Sequence, residues 1–395
     1  GARRNSFVSF VVKHEVVLNR SLLFIALSLF TWGIGEGMFF NFSSIYMERL
    51  GSDPQQIGLI LGAFGAVMAV THIPAGRLAD RFGRRPLLII AWAMGLAATV
   101  VMALARDLPL FVAGLLGYGL TAFVSSPLSS YMTAARGRWS VAATLSLTTA
   151  TFSFGMALGP ALGGWIGDLY GLRTVYSVAA GIFVISNVLI QFIAPQPLDH
   201  HDPESPPMSL LSNVRFLNFL VVVALAVFAM NLAQPLTPNF LEGVRGLSLS
   251  EVGMVFTAGA LGNALVSIFL GRFPPRIGYP ISQALVGLFA LLMWRGTGLP
   301  WFALGFFLLG GFRAARPLAL AQARELIHDS QMGLTYGMME TVTSFIFILT
   351  PPLAGYLYER DPYLVYPITI GLILLSMFVS IIFAPHPPAT LQTEN

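Results

Sequence analysis

The chain has 395 residues, of which 55% are hydrophobic and only 10% are charged. Soluble domains carry about 25% charged residues, so this composition excludes a chain that covers its surface with water-facing side chains. The net charge of +4 then reports mainly membrane topology, and the absence of cysteine excludes disulfides and thiolate metal sites. We therefore predict an all-α membrane protein.

Apolar stretches of about 20 residues follow one another along the chain, each long enough to cross a ~30 Å hydrocarbon core. They predict twelve transmembrane helices in chain order, at 21–47, 55–75, 86–105, 109–134, 139–166, 172–194, 216–240, 250–271, 280–297, 300–323, 331–357 and 363–384.

Lys and Arg outside these spans are distributed unevenly between the two sides. The chain has 22 Lys and Arg residues, of which Arg313 and Arg316 lie within a span. Fourteen of the others lie on the side of both termini, whereas the other side has six: Arg49, Arg106, Arg173, Arg245, Arg295 and Arg360. Positive charge marks cytoplasmic loops, so we expect a multi-pass protein of a plasma membrane, such as a bacterial inner membrane, with both termini cytoplasmic. The arginines follow topology rather than a basic face, so nucleic-acid binding is not expected.

Residues 194–214 form a long polar stretch rich in proline and acid, which we interpret as a solvated cytoplasmic linker rather than a metal site. It separates two predicted six-helix bundles, 1–193 and 215–395. The bundles repeat each other, because an offset of 195 carries Gly58 to Gly253 and an offset of 191 carries Pro160 to Pro351. Pseudo-symmetric halves of this kind place a substrate site near the bilayer midplane between them and give alternate access by rocking.

A short basic segment between the second and third spans reads G-R-L-A-D-R-F-G-R-R from Gly76 to Arg85, and we expect a loop at the membrane surface. With this segment, the twelve spans and the central linker, the chain resembles the major facilitator superfamily over its whole length. The family signature is matched at Gly76, Leu78, Ala79, Asp80, Arg81, Gly83, Arg84 and Arg85. The resemblance implies that Asp80 contacts the start of the eleventh helix, near Ser330 and Gln331, and closes the cytoplasmic side.

The fifth span carries a second family resemblance, to an element associated with proton-driven drug antiporters, at Gly155, Gly159, Pro160, Gly163 and Gly164. Small residues four apart allow another helix to approach closely, so plain helix packing is the alternative interpretation. These antiporters usually carry an arginine in the fourth span, whereas this chain has Ala113 there.

Four charged residues lie deep inside predicted spans: Glu36, Arg313, Arg316 and Glu340. Each costs about 2.5–3.5 kcal/mol or more to place at the bilayer centre, so each is a functional candidate. Glu36 lies among three glycines, and removal from water favours its protonated form. We predict that Glu36, with Glu340, carries protons; a polar helix contact is the alternative.

Arg313 and Arg316 share a helix face. They are predicted either to clamp an anionic group of the substrate or to pair with Glu340. The substrate site is completed, on the resemblance, by residues of the first and seventh spans: Trp32, Phe40, Asn41, Asn231 and Gln234.

These features predict a monomeric secondary transporter that exports amphipathic small molecules in exchange for protons, without a cofactor or metal. A transporter of an anionic metabolite or lipid-like anion recognised by Arg313 and Arg316 is the alternative, as is an energy-independent facilitator. A membrane enzyme or receptor is not favoured, because the chain has no histidine–carboxylate metal motif and no phosphate-binding glycine loop.

Overall fold

The computed structural model describes residues 19–137, 139–195, 213–327 and 332–382, with side chains throughout except at 72–82, 126, 142 and 332–334. Most of the predicted linker therefore lies outside the described residues. The principal helices are α1 Arg20–Phe40 with its continuation Ser43–Arg49, α2 Pro54–Phe82, α3 Arg84–Leu104, α4 Leu108–Gly119 continued by Leu120–Val124 and Ser125–Ala135, α5 Val141–Tyr170, α6 Leu172–Ile190, α7 Val214–Asn231, α8 Leu249–Leu270, α9 Pro275–Arg295, α10 Leu299–Leu308 with Gly310–Ala323, α11 Met332–Arg360 and α12 Val365–Ile382.

Successive helices run back and forth, so their connections fall at two ends of the bundle. We call the end that carries residues 195 and 213 the linker end, and the other the opposite end. Eleven of the described helices are long and apolar enough to cross a membrane, and twelve when the bent α4 is one span. The predicted all-α fold with twelve spans is confirmed.

Helix α7 ends at Asn231, earlier than the predicted boundary near residue 240. Pro235 and Pro238 follow within two turns, and neither has the backbone N–H that would continue the helix. The chain completes this crossing through the short turns Thr237–Asn239 and Phe240–Val244.

The predicted loop at Gly76–Arg85 is wrong. Helix α2 continues to Phe82 and α3 begins at Arg84, so only Gly83 lies outside a helix. Gly83 has φ = 83°, a backbone conformation that a Cβ strongly disfavours, and this one residue turns the chain. The basic residues mark the edge of the apolar run, but they are good helix formers and do not end the helix.

Glycines of the fifth-span motif bring α1 and α5 into backbone contact. A Cβ added at Gly155, Gly159 or Gly163 would lie 2.3, 2.5 or 2.4 Å from a carbonyl oxygen of α1. Atoms cannot approach so closely, so this packing requires glycine at all three positions. The motif thereby fixes α1, the helix that carries Glu36.

Glycines also form the contact between α2 and α11, which joins the first six helices to the last six. A Cβ at Gly58 would lie 2.4 Å from the carbonyl oxygen of Pro351, and one at Gly355 would lie 2.5 Å from that of Pro54. Both positions lie in the half of the bundle toward the opposite end.

The contact between α5 and α8 repeats this arrangement. A Cβ at Gly253 would lie 2.3 Å from the carbonyl oxygen of Pro160, and one at Gly164 would lie 2.2 Å from that of Leu249. The offsets of 195 and 191 found in the sequence carry one set of four residues onto the other. The repeated glycines and prolines are therefore the points at which the two sets of helices touch.

Candidate functional site between the two sets of helices

Glu36 lies near the midpoint of α1, half-buried on the side that faces the last six helices. Its Oε2 accepts hydrogen bonds from the Tyr118 hydroxyl at 2.6 Å and from the Trp32 indole N–H at 3.0 Å. The same indole N–H lies 2.9 Å from the Tyr118 oxygen, which closes a triangle of polar atoms. Oε1 has no hydrogen-bond partner among the described residues, so it is open to a proton or a ligand.

Aromatic packing fixes the Trp32 side chain that donates to Glu36. The Trp32 ring centroid lies 4.4 Å from that of Phe183 and 4.9 Å from that of Trp92. Two glycines make room for these rings, because a Cβ at Gly95 would lie 2.2 Å from Trp32 and one at Gly35 would lie 2.6 Å from Phe183. The hydrogen-bond donor therefore has one well-defined position.

Arg313 interacts electrostatically with Glu36 from α10, across the boundary between the two sets of helices. Helix α10 is interrupted at residue 309, and a Cβ at Gly310 or Gly311 would lie 2.3 or 2.5 Å from a backbone oxygen of α8 or α9. This close packing fixes the start of the helical segment that carries Arg313. The Arg313 side chain is exposed and has no hydrogen bond or ion pair with any described residue.

Arg316, one turn further along α10, forms an ion pair with Glu340 of α11. Their side chains are 62% and 50% exposed, so the pair stands in open space rather than in the packed core. The two arginines that the sequence placed together thus have different surroundings. We call Trp32, Glu36, Tyr118, Arg313, Arg316 and Glu340 the central site. In the described part of the chain, no group of three His, Cys, Asp or Glu could hold a metal ion.

The other predicted substrate residues of α1 and the turn after α7 lie toward the opposite end. The Phe40 ring packs 5.6 Å from that of Phe64. Asn41 and Gln234 each donate to a carbonyl of the preceding turn, at 3.2 and 2.8 Å. All three predicted residues are half-buried, so they are accessible and their substrate role stays a prediction.

Asn231 is only 5% exposed and donates to the Thr350 hydroxyl of α11 at 2.5 Å. The structure therefore gives Asn231 a helix-packing contact in this conformation. Its predicted place in the wall of the substrate site stays a prediction.

The predicted cytoplasmic gate falls largely outside what the structure describes. The side chains of Asp80 and Arg81 lie outside the described part, as do residues 328–331, which contain the predicted partners of Asp80. At the start of α3, the Arg85 guanidinium donates to the carbonyl oxygens of Ile193 and Gln191 at 2.8 and 3.2 Å. These bonds tie the turn to the end of α6.

At the opposite end, Asp168 of α5 joins the two sets of helices. Its Oδ1 accepts from the backbone N–H of Leu249 at 2.9 Å, and its Oδ2 accepts from that of Ser250 at 2.8 Å. These N–H groups belong to the first turn of α8. The N–H groups of a helix's first turn have no partner within the helix, and they favour a nearby negative charge. Asp168 therefore caps a helix of the other set.

Two further polar contacts close the same end. Arg49 donates to Glu242 at 2.5 Å, and Asn239 donates to Glu48 at 2.5 Å. Among the described residues, the hydrogen bonds between the first six and last six helices all lie between the midplane and this end. The structure thus has its opposite end closed.

Tyr118 and Asp168 were missed by sequence reasoning. Tyr118 lies in the fourth span, five residues beyond Ala113, the position that corresponds to the antiporters' arginine. A single tyrosine in an apolar helix has no distinctive sequence pattern. Asp168 lies two residues beyond the predicted end of the fifth span, so it was not counted among the intramembrane charges. A search for polar side chains near helix ends would have found it.

Comparisons with known proteins agree with this architecture. The sequence model of the Major Facilitator Superfamily matches residues 25–279 and 219–395. Multidrug resistance protein 1 of Bacillus subtilis (strain 168) is 22% identical over 399 residues, covering 95% of this chain and 99% of the relative. Quinolone resistance protein NorA of Staphylococcus aureus is 23% identical over 413 residues, covering 96% and 100%.

Solved structures of two transporters show the same fold. The nucleoside transporter NupG superposes with a TM-score of 0.74 at 14% identity, over 92% of this chain and 98% of that chain. The human organic anion transporter MFSD10 (TETRAN) superposes with a TM-score of 0.63 at 17% identity, over 92% and 99%.

Proposed function

The chain belongs to the major facilitator superfamily of membrane transporters, and we propose that it exports amphipathic small molecules in exchange for protons. Its relatives and structural neighbours are transporters rather than enzymes, and two relatives are named for drug resistance. The single observation that carries the proposal is the Glu36 carboxylate at the midplane, held on one oxygen and open on the other.

Glu36 can gain and lose a proton without rearranging its surroundings. The Tyr118 and Trp32 donors both reach Oε2, so a proton on Oε1 leaves both hydrogen bonds in place. The ionised form attracts a cationic group of the substrate at the same oxygen. Proton and substrate then exclude each other, and this exclusion couples a proton gradient to export.

Alternating access requires the closed end to open while the linker end closes. Few hydrogen bonds hold the opposite end closed, which suits a boundary that opens and closes repeatedly. Following the arginine distribution, we assign the linker end and both termini to the cytoplasm of a bacterial cell. In this assignment the closed end is the extracellular one, and a substrate would enter from the cytoplasm once the linker end is open.

Arg313 supports a second candidate function, transport of an anionic metabolite or lipid-like anion. Its guanidinium is charged at all physiological pH values and has no partner among the described residues. An anion would satisfy it, with or without a coupled proton. The sign of the charge on transported substrates separates this candidate from cation export.

The proposed function is tested by flux into proteoliposomes with an imposed pH gradient and a fluorescent rhodamine dye. Glu36→Gln keeps the size of the side chain but removes its titration, so we expect gradient-driven accumulation to disappear. Glu359→Gln is the matched control, because Glu359 is exposed at the end of α11. Full accumulation by Glu36→Gln would refute proton carriage by this residue.

A further inference from the structure

We propose that the preferred substrates are amphoteric, with a cationic group that binds Glu36 and an anionic group that binds Arg313. This inference rests on the proposed function and names its substrate class. One molecule would then contact both sets of helices through opposite charges. The recognition would not require Arg316, which already has Glu340 as its partner.

The first support is that each group has hydrogen-bonding capacity that no described residue uses. Arg313 has no hydrogen bond or ion pair among the described residues, although its guanidinium carries five N–H donors. Glu36 keeps Oε1 unoccupied. The two attract each other electrostatically but form no direct ion pair, so neither satisfies the other.

The second support is the charge count of the central site. Arg316 and Glu340 neutralise each other in contact, which leaves one negative group on α1 and one positive group on α10. A molecule with a cationic group alone would bind Glu36 but meet repulsion from Arg313. A molecule with an anionic group alone would meet repulsion from Glu36. A molecule with both groups avoids both penalties.

Among the described residues, the neutral groups that contact the Glu36 carboxylate are hydrogen-bond donors, and they do not compete with a proton or a cationic group for Oε1. Helix α4 contributes Tyr118 and α1 contributes Trp32, and both only donate to the carboxylate. Around the neighbouring Gly35 and Gly37, α6 and α5 contribute the Phe183 ring, the Pro160 ring and backbone atoms, none of them charged. From α10, Arg313 acts on Glu36 electrostatically, and Arg316 on the next turn is paired with Glu340 of α11.

Two dyes with one chromophore test the inference. Rhodamine B carries a delocalised cation and a carboxylate, whereas its ethyl ester keeps the cation and lacks the anionic group. We expect the purified wild-type protein to bind rhodamine B about tenfold more tightly than the ester, as a charge-assisted hydrogen bond to Arg313 would give. Equal binding of the two dyes would overturn the inference.

Arg313→Gln should remove this preference because rhodamine B binds more weakly to the variant. Affinity for the ester should stay the same or rise, because a repulsive charge is gone. Arg313→Lys should keep part of the preference for rhodamine B, because lysine keeps the positive charge. The control is Arg360→Gln, which removes a positive charge at the exposed end of α11, outside the central site, and should preserve the ratio. A preference that survives Arg313→Gln, or that the control abolishes, would overturn the assignment to Arg313.

Fluorescein, which has the carboxylate without the cation, completes the set. If it binds more tightly than rhodamine B, the inference fails and the anion candidate is favoured. The proposed function is read separately from gradient-driven accumulation of the ester. If Glu36→Gln no longer accumulates the ester and the wild-type protein binds both dyes equally, proton exchange is upheld and the amphoteric substrate is rejected. Accumulation retained by Glu36→Gln, together with a tenfold preference for rhodamine B, would reject proton exchange by Glu36 and uphold the amphoteric substrate.

Discussion

Replacing Asp168 with alanine should shift the protein toward a state with its opposite end open. The change removes two hydrogen bonds between a carboxylate and backbone N–H groups of α8, at 2.9 and 2.8 Å. Such bonds contribute about 1.5–3 kcal/mol each when sheltered, but Asp168 is exposed and solvent weakens them. We expect a loss of about 1–2 kcal/mol, which changes the ratio of two states by about 5- to 30-fold.

The absence of cysteine makes the measurement direct, because spin labels attach only where cysteine is introduced. Arg106→Cys and Thr297→Cys place labels on exposed loops of the first and last six helices at the opposite end. Pulsed electron resonance should then show a larger fraction of long distances in Asp168→Ala.

Asp107→Ala is the matched control for this prediction. Asp107 also caps a helix, since it accepts from the backbone N–H of Leu110 at 2.9 Å, but both residues belong to the first six helices. It should therefore leave the distance distribution unchanged. If Asp168→Ala and Asp107→Ala behave alike, the contact does not hold this end closed.

Three further changes test other parts of the structure. Gly253→Ala places a methyl group 2.3 Å from the Pro160 carbonyl oxygen, so the same spin labels should report more of the state open at the opposite end. Tyr118→Phe removes the shorter hydrogen bond to Glu36, and we expect proton-driven exchange to fall about tenfold in proteoliposomes while dye binding persists. Gly83→Ala forces a Cβ into a backbone with φ = 83°, which should destabilise the protein by about 1–2 kcal/mol and lower its unfolding temperature in detergent.

Gly181→Ala is the control for both glycine variants, because a Cβ at this helical position meets no atom within 4 Å. It should leave both the label distances and the unfolding temperature close to wild type. Unchanged distances in Gly253→Ala would show that α5 and α8 separate without cost, and unchanged stability in Gly83→Ala would show that the turn relaxes. Tyr118→Phe with full exchange would show that Trp32 alone orients the carboxylate.

Hydropathy predicted the twelve spans because the bilayer requires about 20 apolar residues per crossing. It also revealed Glu36, since a carboxylate in an apolar run is conspicuous. It did not reveal that α2 continues past the basic residues to Phe82, because helix length depends on backbone hydrogen bonds and not on polarity. Hydropathy marks the edge of the membrane rather than the end of a helix.

Which residues meet in the central site depends on the distances between helices, and a sequence pattern within one helix does not contain those distances. The sequence left open whether Arg313 or Arg316 pairs with Glu340, because both lie on one helix face. The structure pairs Arg316, since one turn along α10 brings it opposite α11. Tyr118 was unpredictable for the same reason, because its role depends on reaching across from α4 to α1.

The paired glycine contacts at Gly58 and Gly253 constrain how the two sets of helices move. Each contact brings backbone against backbone with no side chain between, so it behaves as a pivot rather than a compressible cushion. Two pivots define an axis, and rigid bodies that meet at an axis have rotation as their easiest relative motion. Spreading the ends on one side of that axis brings together the ends on the other, so a leak open to both sides would require the pivots to separate.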